Sequence, residues 1–414
     1  MNSFFSFLLL FVTTSLSAQW LTYSVANSGL SDNTCWYVNT DANNDVWIST
    51  TTDGLNKRSG NNWSVWNTSN SAIPFNNISV SFFDGNNVWV GTGGGGIGVY
   101  NGVNWQTYNT ANSNISDDVV YDIDKDAAGN LWVGTRWGGL CKFNGSVFST
   151  YSIQAQLQTS FNRVHNLVID GSGMIWMGLA GGGLGRFNPA NGTMSQWATW
   201  NSAIVNDDVY CLCIAPDGKI WCGTFGGVSV FDPATSSFTA SYTVSNSLLP
   251  SNYVRSIVFD NAGDCWLGTG FGGVALLSNN SFTVWDEANS NLPSDSVWCV
   301  HYSNNRIWVA TITEGIATMP INIKSVNEEN QLMAFQLFPN PASDELNLEF
   351  NLEESDVVRL QLFNAAGQLI KDENWDLQSG LIRRMISLDG LAPGVYFISL
   401  SRGLNRSSRH FIVH

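Results

Sequence analysis

The chain has 414 residues, including 39 Gly and 18 Trp; only 12% are charged and the net charge is −15. Residues 1–320 carry 10 Lys and Arg against 21 Asp and Glu, and residues 321–414 carry 8 against 12, so nucleic acid is excluded as a partner by simple repulsion. Abundant Gly and Trp, with Asn, Ser and Thr standing in for surface charge, suit many short strands joined by tight turns in a secreted protein.

The N-terminus, MNSFFSFLLLFVTTSLSAQW, holds an apolar run from Phe4 to Val12 that is too short for a bilayer and right for a signal-peptide core. Residues 1–18 are expected to be a cleaved signal. Cleavage before Gln19 places Ala18 at −1, and cleavage one bond earlier places Ser17 there. No later segment is long and apolar enough to predict a transmembrane segment.

From residue 19 to 320 one pattern recurs. The string Leu131–Thr135 (LWVGT) has relatives centred on Trp47, Trp89, Trp132, Trp176, Trp221, Trp266 and Trp308, spaced by 42 to 45 residues. The copy from Asn112 to Tyr151 divides into VVYDID, a turn at Asp126–Asn130, LWVGT, a turn at Gly138-Gly139, LCKF, a turn at Asn144-Gly145, and VFSTY. Four short antiparallel strands per period describe a propeller blade, and seven copies predict seven blades. Burying about 150–250 Å² per Trp at roughly 25 cal/mol per Å² gives each copy an upper bound near 4–6 kcal/mol. The seventh copy stops at Pro320 without a fourth strand, while WLTYSV (Trp20–Val25) stands alone ahead of the first and resembles an outer strand. The N-terminal strand is therefore expected to complete the last blade.

The unit, with NSLLPSN (Asn246–Asn252) before its first strand and D-x-x-G-x-x-W-x-G-T after it, resembles the two-component-regulator propeller repeat over about residues 20–320. That family's propellers often form the sensor half of hybrid histidine kinases, chiefly in Bacteroidetes. The resemblance implies a sensing or binding propeller, and no kinase segment follows in this sequence.

Residues 321–333 (INIKSVNEENQLM) form a polar linker, and residues 334–414 alternate with period two, predicting a small C-terminal β-sandwich. Its phrases Phe338–Ala342 (FPNPA), Leu362–Gln368 (LFNAAGQ) and Leu391–Phe397 (LAPGVYF) resemble the type A C-terminal sorting domain of the type IX secretion system. This resemblance implies the secretion translocon and a sorting protease as partners, removal of the domain on export, and release or attachment at the outer-membrane surface.

Chemistry-bearing motifs are sparse. The seven cysteines are irregularly spaced, and Cys211, Cys213 and Cys222 read as buried thiols rather than a metal set. No catalytic residue, metal or cofactor is predicted. Asp117-Asp118 and Asp207-Asp208 precede first strands at equivalent places, where Asp caps turns, though paired carboxylates also suit a glycosidase. One position stands out: just after the recurrent Val of each first strand stand Trp36, Ser79, Tyr121, His165, Tyr210, Arg255 and Trp298. If the first strand is innermost, these side chains reach the channel mouth. Arg136-Trp137, Phe225, Phe271 and Glu314, in turns between second and third strands, would open on the same face and form the rim.

Trp36, Tyr121, His165, Tyr210, Arg255, Trp298, Trp137, Phe225 and Phe271 are therefore the candidate ligand-binding set, with packing between blades as the other account of them. Two function classes remain open: a binding module for a surface glycan, peptide or protein, and a propeller-fold polysaccharide lyase or hydrolase using His165, Arg255 and a neighbouring Asp.

Overall fold

The computed structural model describes residues 20–157, 161–321, 335–352, 355–364, 369–402 and 405–414. The expected signal, residues 1–18, and all but Ile321 of the expected linker lie outside the described residues. The chain divides into two compact units, Met1–Asn322 and Ile323–His414.

The first unit contains seven four-stranded antiparallel sheets. Their first strands are Cys35–Thr40, Ile78–Asp84, Val120–Lys125, Val164–Ile169, Val209–Ile214, Val254–Phe259 and Val297–Ser303. Each touches the next around a closed ring, so the first strand of every blade is innermost. The last blade is completed as expected: Leu21–Tyr23 pairs with Ile316–Pro320, matching Leu21 to Thr318 and Tyr23 to Ile316. Trp20 is buried, and the Asn291 side chain holds its backbone at both ends, accepting from Trp20 N (2.9 Å) and donating to Trp20 O (2.7 Å). Among the described residues one short helix, Ile153–Leu157, departs from the all-β plan, in the connection between the third and fourth blades.

The repeat motif now has physical reasons. The Trp of each second strand is almost always buried between blades, and in four blades an Asp six residues earlier accepts its indole N–H: Asp41 for Trp47, Asp126 for Trp132, Asp170 for Trp176 and Asp260 for Trp266. The following Gly marks close approach between blades. A Cβ on Gly134 would lie 2.9 Å from the Val164 side chain and 3.0 Å from its carbonyl oxygen, and Gly91, Gly178 and Gly268 are equally confined. The Thr after it closes the next turn, as where Thr135 Oγ1 donates to Gly139 O; Gly139 has φ of 78°, and a Cβ there would meet Tyr151 O at 2.7 Å.

The Asn-Ser pairs between blades are equally structural. Asn112 Oδ1 accepts from Asn109 N while its amide donates to Thr107 O, and Ser113 Oγ donates to Asn109 O. Asp118 and Asp207 accept from the backbone and hydroxyl of Thr110 and Thr199. Asp117 accepts from Val119 N and Trp137 N, and Asp208 from Gly181 N. All four acids of the paired-carboxylate motif therefore hold loops.

The second unit is a sandwich of a three-stranded and a four-stranded sheet. Leu346, Leu348 and Phe350 from one and Val358, Leu360, Ile398 and Phe411 from the other share one core.

Candidate functional site

Every inner strand carries a β-bulge, and the seven bulges fall at the same place. Pairing with the second strand skips from Cys35 to Tyr37, Ile78 to Val80, Val120 to Asp122, Val164 to Asn166, Val209 to Cys211, Val254 to Ser256, and Val297 to Cys299. The residues left out of register are Trp36, Ser79, Tyr121, His165, Tyr210, Arg255 and Trp298. A bulge re-aims its side chain out of the alternation, and here all seven line one cavity of about 490 Å³ at the mouth of the channel.

The six large bulge residues touch in sequence around the ring. Tyr121 meets His165 edge-on at 5.5 Å, and His165 stacks on Tyr210 at 5.0 Å with 9° between planes. The Arg255 guanidinium lies 4.7 Å from the Tyr210 ring centre and 4.1 Å from that of Trp298, which meets Trp36 edge-on at 4.0 Å. The arc is open at Ser79, whose short side chain leaves room between Trp36 and Tyr121. The Nε of Arg255 and Nε1 of Trp36 are buried without a hydrogen-bond partner.

The three aromatic rim residues do not line the cavity, but stand exposed beside it: Trp137 at 60%, Phe225 at 53% and Phe271 at 73%. Tyr253, which the repeat comparison passes over, connects two of them to the ring. It packs against Phe225 (5.1 Å), Phe271 (5.7 Å) and Tyr210 (5.0 Å), and its hydroxyl accepts from Arg255 Nη1 at 2.9 Å. Its place two residues before Arg255, just ahead of the inner strand, was the available signal. Arg136, expected on the rim, lines the cavity, and Arg163 is a residue the repeat did not point to; both lie over Trp137, at 5.3 and 4.5 Å.

Burial fixes the protonation of the wall. Desolvation is the main influence holding His165 down to about 4, joined by Arg163 and Arg255, so the ring is neutral. Its Nδ1 lies 3.2 Å from Val209 O, which can only accept, so Nδ1 carries the proton and Nε2 is left as an acceptor. Desolvation raises Tyr210 to about 12 and Asp122 to about 8. Asp122 ties neighbouring blades together, accepting from Asn166 Nδ2 (2.6 Å) and Leu167 N (2.8 Å), and Asn166 Oδ1 accepts in turn from Leu212 N (2.6 Å).

All seven cysteines are unpaired, and burial raises the thiols of Cys211, Cys213 and Cys222. No group of three His, Cys, Asp or Glu among the described residues could hold a metal ion.

Comparison with known proteins bears on both units. Residues 336–414 match the secretion system C-terminal sorting domain, and residues 114–137, 203–226 and 248–271 match the two component regulator propeller. The chain carries regulator-type propeller repeats and a secretion sorting domain. That sorting domain directs the protein to the cell surface or beyond, and no helix among the described residues is long and apolar enough to cross a membrane.

Among solved structures, the extracellular domain of a hybrid two-component system from B. thetaiotaomicron is 17% identical with a TM-score of 0.64, over 94% of this chain and 54% of that one. PorZ, a surface component of the type IX secretion system of Porphyromonas gingivalis, is 18% identical with a TM-score of 0.62, over 95% and 61%. This chain thus spans between 54% and 61% of the length of those two relatives. YCF48 bound to D1 peptide is 12% identical with a TM-score of 0.55, over 74% and 96%. At these identities the likeness is one of fold. No curated protein sequence matches the chain.

Proposed function

We propose that this is a surface-exported binding module whose ligand seats in the channel mouth of the propeller. The observation that carries the reading is the set of seven aligned bulges. A fold that only needed packing there would repeat one apolar residue, whereas the bulges present Trp, Ser, Tyr, His, Tyr, Arg and Trp to one cavity. A volume of about 490 Å³ lies within the usual range for small-ligand sites. Ring faces, the guanidiniums of Arg136 and Arg255 and the Nε2 of His165 supply stacking and hydrogen bonds in both senses. Propellers of this general fold include one with a bound peptide, YCF48, which makes peptide a ligand class to test beside glycan.

The test is binding of the full chain to glycan and peptide arrays, with the Trp298→Ala, Tyr210→Ala double variant alongside. Binding should weaken by at least about tenfold in the variant while its melting temperature stays close to the parent's. An unchanged affinity would place the ligand elsewhere, and early melting would make the ring a packing device. A second reading, turnover of a polysaccharide, draws on neutral His165 and Arg255 facing one cavity. Product release from any glycan that binds is its test.

A further inference from the structure

Three arginines at the channel mouth have no carboxylate. Among the described residues, ion pairs engage Lys57, Lys125 and Lys219 of the propeller, but not Arg136, Arg163 or Arg255. Arg136 and Arg255 line the cavity, and Arg163 lies over Trp137 beside it. The Nε atoms of both Arg163 and Arg255 are buried without a partner. In a chain of net charge −15, Arg163 and Arg255 are half-buried and Arg136 is exposed, and the two half-buried guanidiniums are costly without an anionic partner, because burial takes hydration that a counter-charge restores.

The nearby acids do not serve. Asp117 and Asp208 are turned to backbone N–H groups of Trp137 and Gly181. Asp122, in the wall itself, already receives Asn166 and Leu167, and burial disfavours its charge. The arginines are therefore held by ring faces, joined only by the bond from Arg255 Nη1 to the Tyr253 hydroxyl, which leaves their other N–H donors without a protein carboxylate.

We infer that the channel mouth takes an acidic sugar, its carboxylate received by Arg255 and Arg136 and its ring stacked on the aromatic arc. This rests on the reading of the mouth as a binding site and adds the ligand's charge and class. A sugar ring offers C–H faces to Trp36 and Trp298, and hydroxyls to His165 Nε2. An amphipathic, anionic ring thus uses every kind of group the wall leaves free.

The experiment is calorimetry of the full chain against uronic-acid oligosaccharides and the same oligosaccharides with their carboxyls reduced to alcohols. The acids should bind at least about tenfold more tightly than the reduced forms, weaken with added salt, and lose that preference in Arg255→Gln. Trp298→Ala should weaken both forms. If acid and reduced forms bind alike, and both depend on Trp298, the site stands and the anionic class falls. A peptide that binds through its C-terminal carboxylate and Arg255, with no uronide binding, overturns the sugar. Failure of every uronide and every neutral counterpart overturns both readings.

Discussion

His165 and His301 sit in separate blades, yet both are held near 4, chiefly by desolvation, against an ordinary value of 6.5. His301 Nε2 lies 2.9 Å from Thr40 Oγ1, in the neighbouring blade. Between pH 6.5 and 4 the unfolded chain takes up protons that the folded rings refuse, so this contribution to stability is complete above 6.5 and lost on acidification. Asp122, raised to about 8, acts in the opposite sense, since its folded form keeps a proton that the unfolded chain gives up. Subtracting a variant from the parent separates the two. The melting temperature of the parent should fall more steeply from pH 7 to pH 4.5 than that of His165→Gln, His301→Gln, while Asp122 contributes equally to both. Parallel curves would mean the rings are open to water. The same neutrality has a functional side: ligand affinity that depends on His165 Nε2 should stay flat from pH 6 to 7, below the range in which Asp122 of the same wall ionises.

Between blades, the Gly of the repeated W-x-G-T motif sets how closely neighbouring sheets approach. Gly134→Val would drive two methyls into Val164 and its carbonyl, with a cost of about 1–3 kcal/mol typical of overpacking, read as a lower urea midpoint with unchanged slope. A wild-type midpoint would show that the blades can part freely. The closing strand permits a comparable test. A recombinant chain starting at Ala26 should melt well below one starting at Gln19, because the last blade loses its outer strand and the buried Trp20. Asn291→Ala, which removes only two hydrogen bonds to Trp20, should shift the melt by a smaller amount. Equal melts for the Gln19 and Ala26 chains would mean that the strand merely rests on the ring.

The period, the four strands and the closing segment were all legible in the sequence, because Trp spacing and turn residues are local signals. The bulges were not. An unpaired residue leaves no mark on composition, and only the odd variety at one repeat position pointed to it. Tyr253 and Arg163 went unseen for a related reason: they belong to the site through contacts between blades, which no within-repeat comparison contains.

At the scale of the whole molecule, the sorting domain and the expected signal bracket the propeller. The exported protein should begin near Gln19 and end within about residues 321–333, and mass spectrometry of supernatant and surface fractions should find those termini. Removing residues 336–414 should leave the propeller inside the cell; equal amounts outside with and without that segment would separate export from the sorting domain.

The closing strand also sets an order of events. Trp20 and Asn291 are 271 positions apart in the chain, so their clasp carries a large loop-closure cost that must be met before any contact rewards it. A chain delivered from its N-terminus presents Trp20–Tyr23 first, yet the partner strand Ile316–Pro320 arrives only after six complete blades. Until then the ring is an open arc with an unpaired outer edge. The N-terminal strand thus works as a timer: circular order is withheld until the last blade has been delivered, and a chain cut short at any earlier point cannot lock.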